Sequence, residues 1–354
     1  ADIETAAICD LACPHCSREY IITPDKLMSS DLYKKIIHEV SSLNIPAIKL
    51  NWRGEPLLNP KIHELVDYAK QKGVLEVSIN TNAVTLDEKK SKQLIESGLD
   101  IIIFSFDGGS KKTYESLRPG RFNQNKFENV YGNIKNFHRI RKEMGSKFPI
   151  SKIQMILTKE SRTEIDTFFK LFETIVDDVT VTPYNERGGN IDDLTPEQKT
   201  RLTKYLSNNN LPKDTPYLVN LEGDIYASIK RKPCEQLFQR LMITYDGRVG
   251  MCCHDWGAQH GIGFLDEKAF NNDKIISDIE NKIKDKKKGF ELLNKANRPK
   301  NFNEPPHKLE NIKEIWTGNE LNKVRRSHFN HKVDEVAVCK ECSFKDTFSW
   351  EKIK

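Results

Sequence analysis

No stretch of this 354-residue chain approaches the roughly 18 consecutive apolar residues that a membrane-spanning helix needs, which excludes an integral helical membrane protein. No signal peptide is recognisable, and the chain opens on Ala1-Asp2-Ile3, already strand-like, so residues before Ala1 are expected to be missing and the first strand to be clipped. Charge of one sign does not dominate. Lys and Arg number 56 against 51 Asp and Glu, a net +5 that is mild and dispersed, which disfavours a nucleic-acid partner. The one dense basic run, Lys282 to Lys288, reads as a solvated helix face. Solenoid repeats and low-complexity linkers are absent. Most telling is cysteine, of which the 217 residues between Cys16 and Cys234 contain none. A secreted disulfide scaffold spreads its cysteines through a short chain, so metal ligation in a reducing cytoplasm is the better account of this clustering.

What is present describes a globular protein large enough for a barrel-sized domain and a smaller one, with 37% hydrophobic and 30% charged residues. From residue 1 to about 190, short apolar runs alternate with amphipathic helices. Strands are expected at Ile3 to Ile8, Ala47 to Asn51, Leu75 to Asn80, Asp100 to Phe106, Ile150 to Leu157 and Asp178 to Pro183. Between them, Leu32, Ile36, Ile37, Val40 and Leu43 mark one helix face, and a second helix is expected from Asn59, with Pro60 in its first turn, to Gly73. Ile101 to Phe104 is apolar without alternation, as in a strand covered on both faces. Six units are too few for an eight-fold barrel, so the expected fold is α/β, a partial (β/α)6 TIM-like barrel over residues 1–190 whose open side the remaining chain closes. A helix over Leu194 to Leu206 bridges (191–233) to a smaller cysteine-rich domain, residues 234–354.

The first cysteine group, Cys9, Cys13 and Cys16, directly follows the first strand, on the rim where barrel enzymes place their chemistry. Three thiolates in C-x3-C-x2-C spacing can bind three irons of a cubane and leave the fourth open to a cofactor or substrate. A zinc knuckle would need a fourth closed ligand, and only His15 stands nearby. Further along the same rim come Trp52-Arg53-Gly54-Glu55-Pro56, then Asn80-Thr81-Asn82, then Ser105-Phe106-Asp107-Gly108, and Arg118 in Leu117-Arg118-Pro119-Gly120.

Taken together these motifs resemble the radical S-adenosylmethionine superfamily. The resemblance implies that the open iron is chelated by the amino and carboxylate groups of S-adenosylmethionine, which one electron cleaves to methionine and a 5'-deoxyadenosyl radical. It implies a His15 side chain packed near the cofactor, or else an ordinary surface histidine. Gly54, Glu55 and Pro56 resemble the family's Gly-Gly-Glu-Pro loop that holds the methionine ammonium, with Arg53 in place of the first Gly. That departure is either a changed substrate contact or a tolerated side chain. Asn80, Thr81 and Asn82 match the family's polar strand end, Ser105 is a ribose contact, and Asp107 is either a cofactor contact or a turn former.

The second group begins with Cys234, in Cys-x12-Gly-x4-Cys spacing through Gly247 to Cys252, and ends in Cys339 and Cys342. Four thiolates suit a ligand-saturated cubane or structural zinc. With Ile312-Lys313-Glu314-Ile315-Trp316, Leu321 and Arg325, this pattern is similar to the SPASM and twitch extensions of the same superfamily. Full SPASM domains use seven cysteines for two clusters, so the resemblance implies here one auxiliary cluster, on Cys234, Cys252, Cys339 and Cys342. Cys253 is left over as a small buried residue, an alternative ligand, or a catalytic thiol that gives a hydrogen atom to a substrate radical. His254 and Asp255 are loop residues or substrate contacts.

The implied enzyme is an oxidoreductase with two four-iron four-sulfur clusters, served by an external one-electron reductant such as flavodoxin or ferredoxin. Its expected substrate is a small polar molecule of sugar or cyclitol type, since no peptide-recognition extension precedes the first cysteine motif. Dehydrogenation leads, with radical epimerisation and peptide modification as alternatives and a zinc-binding, nucleic-acid-interacting protein as a reading of another class.

Overall fold

The computed structural model describes residues 1–16, 18, 25–121, 125–184, 193–255, 258, 261–269, 309–340 and 342–353. The basic run Lys282 to Lys288 lies outside them. Six strands, β1 (Asp2–Ile3), β2 (Ala47–Lys49), β3 (Glu76–Thr81), β4 (Ile101–Ser105), β5 (Ile150–Leu157) and β6 (Asp178–Pro183), lie side by side in chain order, all parallel. The helices between them are α1 (Ser30–Ser42), α2 (Ile62–Gln71), α3 (Glu88–Glu96), α4 (Lys111–Leu117), α5 (Phe127–Glu143) and α6 (Ile165–Phe172). This is the expected partial barrel, and β5 and β6 fall on the residues expected for them.

Local chemistry sets the helix bounds. Ser29 caps α1 by accepting from Leu32 N, and Leu32, Ile36, Ile37 and Val40 are buried, while Leu43 stands at the C-cap, 36% exposed. α2 starts later than expected, because Asn59 spends its side chain on Lys61 N and on the Thr5 carbonyl, holding the chain in a turn through Pro60. β4 corrects another expectation: Ile102 and Phe104 are buried, whereas Ile101, Ile103 and Ser105 are only half-buried. The helices cover one face of the sheet and the other faces the concave interior. At the end of β4, Phe106 stacks on Tyr114 at 4.1 Å and meets Phe127 and Phe172 edge-on, fixing α4, α5 and α6 to the rim.

After β6, α7 (Pro196–Asn208), begun by a Thr195/Gln198 capping box, packs on an antiparallel sheet of β7 (Tyr217–Val219), β8 (Ile225–Arg231) and the last strand, Phe348–Lys352. Then β9 (Met242–Ile243), β10 (Arg248–Gly250) and β11 (Gly261–Phe264) follow as an antiparallel set. Gly247 makes the turn into β10 at φ 95°, and a Cβ there would stand 2.9 Å from Cβ of Asp266. β9 pairs in parallel with Asp2 and Ile3. The later chain thus extends the sheet past β1, and among the described strands β6 pairs only with β5. One apolar core runs from Ile3 to Cys339 through both parts. No helix among the described residues is long and apolar enough to cross a membrane.

Between α5 and β6, Arg141 grips the Asp177 carboxylate at 2.5 and 3.0 Å, and Ser151 adds its N–H and hydroxyl. Against a desolvation that acts upward, these bonds hold the Asp177 carboxyl down at about 2. Such a depression is worth at most about 2.4 kcal/mol, and water at a side chain 38% exposed screens it to about 1 kcal/mol. The contribution is present above the ordinary carboxylate pKa and disappears as pH falls through the folded one. Asp177→Asn is expected to cost about 1 kcal/mol at pH 7 and nothing near pH 2; urea unfolding at the two pH values checks it, and an equal difference at both would refute it.

Candidate functional site

A cavity of about 380 Å³ opens at the C-terminal rim of the parallel strands, and Cys9, Cys13 and Cys16 all line it. Its other walls come from each strand end in turn: Gly54 and Glu55 after β2, Asn80, Thr81 and Asn82 at β3, Ser105 at β4. His15 and Arg118 also line it.

The loops that carry these groups are bound to one another through buried polar bonds. Glu55 accepts from Leu57 N at 2.9 Å, from the Thr81 hydroxyl at 2.7 Å and from Asn82 N at 2.7 Å, and its own N–H donates to the Ile8 carbonyl. Burial pushes its carboxyl up to about 7 against those bonds. Asn82 reaches on to Asp10, between the first two cysteines, at 2.7 Å. Gly54 runs so close to the cysteine loop that a Cβ would stand 2.1 Å from the Ala6 carbonyl oxygen and 2.6 Å from that of Ile8. Pro56 opens a short turn, Pro56–Leu58, and is not among the cavity-lining residues.

Asp107 is likewise buried behind the cavity wall. Its Oδ1 accepts from Ile156 N at 2.7 Å, and its Oδ2 lies 2.8 Å from Arg118 and 3.4 Å from His15. Its position is that of a support for two lining residues. Sequence reasoning missed Lys49, Gln154 and Thr182, which line the cavity from β2, β5 and β6. Their signal was available: in β5 the residues Ser151, Ile153, Met155 and Leu157 are buried, and Gln154 lies on the alternate, concave face.

Thiols in such a place resist ionisation. Burial, aided by the nearby Glu55 carboxylate, pushes Cys9 up to about 12, and burial raises Cys13 as well, with the Arg118 guanidinium opposing it. Such thiols need the positive charge of bound metal to ionise. Among the described residues no three His, Cys, Asp or Glu side chains converge on a point fit for a single ion. Three thiols spread around one cavity suit a cubane, in which each binds a different iron. Asn80 Oδ1, buried at the same wall, has no hydrogen-bond partner among the described residues and is an acceptor for a bound group.

After burial, Cys342 raises the thiol pKa of Cys234, Cys339 and Cys342 raise that of Cys252, and Cys342 and Cys234 raise that of Cys339, so Cys339 and Cys342 connect the other two. Arg231 donates to the carbonyls of Cys339 and Cys342, both at 2.7 Å. The Cys253 thiol is close to this group, donates to Gln236 Oε1 at 3.9 Å, and is not among the residues lining the cavity. Its carbonyl accepts from the Trp52 indole at 3.2 Å, and Trp52 lines the cavity, so one side chain joins the two cysteine groups. His254 packs on Phe344.

The profile of the radical SAM superfamily matches residues 3–172, and that of the SPASM iron–sulfur cluster-binding domain matches residues 234–343. A probable GTP 3',8-cyclase of Methanothermobacter marburgensis is 35% identical over 115 residues, 32% of this chain and 37% of that protein. A tungsten-containing aldehyde ferredoxin oxidoreductase cofactor-modifying protein of Pyrococcus furiosus is 25% identical over 203 residues, 55% of this chain and 52% of that protein. The chain therefore spans about half or less of these curated relatives. The solved structure of anSMEcpe with bound AdoMet superposes at a TM-score of 0.59 and 14% identity, over 98% of this chain and 90% of that one. Streptococcus suis SuiB bound to the precursor peptide SuiA superposes at 0.52 and 16% identity, over 72% and 60%. At these identities the likeness is one of fold.

The contacts around Gly54 generate a direct test. Gly54→Ala places its methyl against two backbone carbonyls that cannot swing aside, so it is expected to lose about 1–3 kcal/mol of stability and to displace the cysteine loop. Thermal unfolding and equilibrium binding of S-adenosylmethionine check this; wild-type stability and affinity in the variant would contradict it.

Proposed function

This chain belongs to the radical S-adenosylmethionine superfamily and carries a SPASM iron–sulfur domain, and from that premise we propose that it removes a hydrogen atom from a small polar substrate and dehydrogenates it. Its cofactors are accordingly S-adenosylmethionine and iron–sulfur clusters. The observation that carries the reading is the cavity on whose walls Cys9, Cys13 and Cys16 stand beside Gly54, Asn80 and Ser105. When bound, the cluster on those three cysteines supplies the electron that cleaves S-adenosylmethionine, and one on Cys234, Cys252, Cys339 and Cys342 supplies an electron acceptor.

The chain's own residues bind and orient. The backbone at Gly54, kept close by its missing side chain, receives the methionine end of the cofactor, and Glu55, in the same wall, holds that loop to the end of β3. Asn80 offers its free Oδ1 acceptor, and Ser105 stands on the neighbouring strand for the ribose. Asp107 positions His15 and Arg118. Lys49, Gln154 and Thr182 provide polar contacts for a small hydroxylated substrate on the same concave face. Enclosure matters because the radical species react with water-borne oxidants and with oxygen.

Dehydrogenation removes two hydrogens in all, one as an atom and one as a proton with an electron. The Trp52 link favours it over epimerisation, because it sets the second cysteine group beside the cavity as an outlet for that electron. The bond from the Cys253 thiol to Gln236 supports a structural part for Cys253 in preference to hydrogen-atom donation.

Anaerobically prepared protein is expected to hold about eight irons. Replacing Cys9, Cys13 and Cys16 together by Ala should halve the iron and abolish 5'-deoxyadenosine formation from S-adenosylmethionine with dithionite; unchanged formation would remove the catalytic assignment. For the reaction type, turnover in deuterated water should leave no deuterium at the reacting carbon of the product. One deuterium there would mean quenching of a radical by a solvent-exchanged donor, and dehydrogenation would be refuted.

A further inference from the structure

One group supporting the auxiliary cysteines comes from outside their motif. His328, in the last turn of the helix Asn319–Phe329, is fully buried. Its Nδ1 accepts the backbone N–H of Cys234 at 3.0 Å, and its Nε2 lies 3.3 Å from Sγ of Cys339. A neutral imidazole carries one ring proton. With Nδ1 engaged as an acceptor, that proton is on Nε2 and is directed at the Cys339 sulfur. The same bond excludes His328 from the ligand set: an imidazole bound to iron through Nε2 would carry its proton on Nδ1, where it would collide with the Cys234 N–H.

We propose that His328 is a positioning residue of the auxiliary cluster, whose N–H···S bond to Cys339 makes the cluster easier to reduce. The inference rests on the assignment of that cluster to Cys234, Cys252, Cys339 and Cys342. Reduction adds one electron, and part of the added negative charge falls on the ligand sulfurs. A donor already aimed at one of them stabilises the reduced form more than the oxidised one, and hydrogen bonds to sulfur are among the factors that set such potentials. No proton moves; His328 keeps its proton throughout. Arg231 acts in the same sense. Its two nitrogens hold the Cys339 and Cys342 carbonyls while its guanidinium packs 4.3 Å over the Phe348 ring, which fixes a positive charge beside the pair. A more easily reduced auxiliary cluster is a better acceptor for the electron that dehydrogenation releases.

The test uses the full chain with Cys9, Cys13 and Cys16 replaced by Ala, so that only the auxiliary cluster remains, titrated anaerobically and followed by electron paramagnetic resonance. His328→Leu is expected to make reduction about tenfold less favourable, a fall of about 59 mV for a one-electron couple. His328→Gln, whose amide supplies one donor and one acceptor, should recover most of it. An unchanged potential in His328→Leu with the cluster intact overturns the proposal. If His328→Leu loses the cluster, pulsed resonance on protein with isotope-labelled histidine decides. A weak nitrogen coupling that disappears in His328→Gln upholds the N–H···S bond; no such coupling, or the strong coupling of an iron-bound nitrogen, overturns it. Absence of any cluster signal from the triple variant with His328 intact would instead refute the assignment of the auxiliary cluster.

Discussion

The bond between Glu4 and Arg53 is the constraint on which the rest of the site depends. Both side chains are shut off from water, and the guanidinium meets the carboxylate through two bonds, Nε to Oε1 at 2.7 Å and Nη2 to Oε2 at 2.6 Å. β1 is two residues long and cannot hold its end in place by its ladder alone. Glu4 follows it directly, just ahead of the cysteine loop, and Arg53 belongs to the loop after β2. A third partner, the N–H of Tyr245, reaches Glu4 from the turn between β9 and β10 at 3.2 Å. Losing one member of such a pair leaves a buried charge uncompensated, a cost of about 3–5 kcal/mol. Arg53, where the family loop has glycine, is therefore structural: it does not line the cavity, and its guanidinium lies 4.6 Å from the Trp52 ring.

From that junction the order of the site follows. Trp52, held under Arg53, contributes to the cavity wall and donates to the Cys253 carbonyl, so the loop after β2 touches both cysteine groups. Glu55, two residues beyond Arg53, locks the same loop to the β3 end, and Asn82 passes the connection back to Asp10. The thiols are thereby placed by bonds that involve none of their own sulfurs. That arrangement suits metal binding, because the backbone around the ligands is fixed by groups other than the ligands themselves.

Ligand spacing, strand-end polarity and the parallel strand–helix rhythm were legible in the sequence, since each is encoded within a few residues. Cys9, Cys13 and Cys16 belong to one loop, and a strand that runs from Ile150 to Leu157 carries its own pattern. The alternation in β4 was hidden because isoleucine occupies positions on both faces, one against helices and one toward the concave interior. The role of Asp107 was hidden for a different reason: an Asp-Gly pair reads as a turn, and only the fold brings Ile156, Arg118 and His15 around its carboxylate.

By itself, then, the sequence determined the class of chemistry, because the three-cysteine loop and the polar strand ends after it together carry the resemblance to the radical S-adenosylmethionine superfamily. Tertiary structure alone decided how the two cysteine groups meet. The later strands join the sheet at β1, and this register sets Tyr245 against Glu4, 241 positions away, while the helix Asn319–Phe329 brings His328 against Cys234, 94 positions away. Such pairs leave no local signature, since the energy that selects them is the removal of a charge or polar group from water together with its partner, and that partner is supplied by the fold.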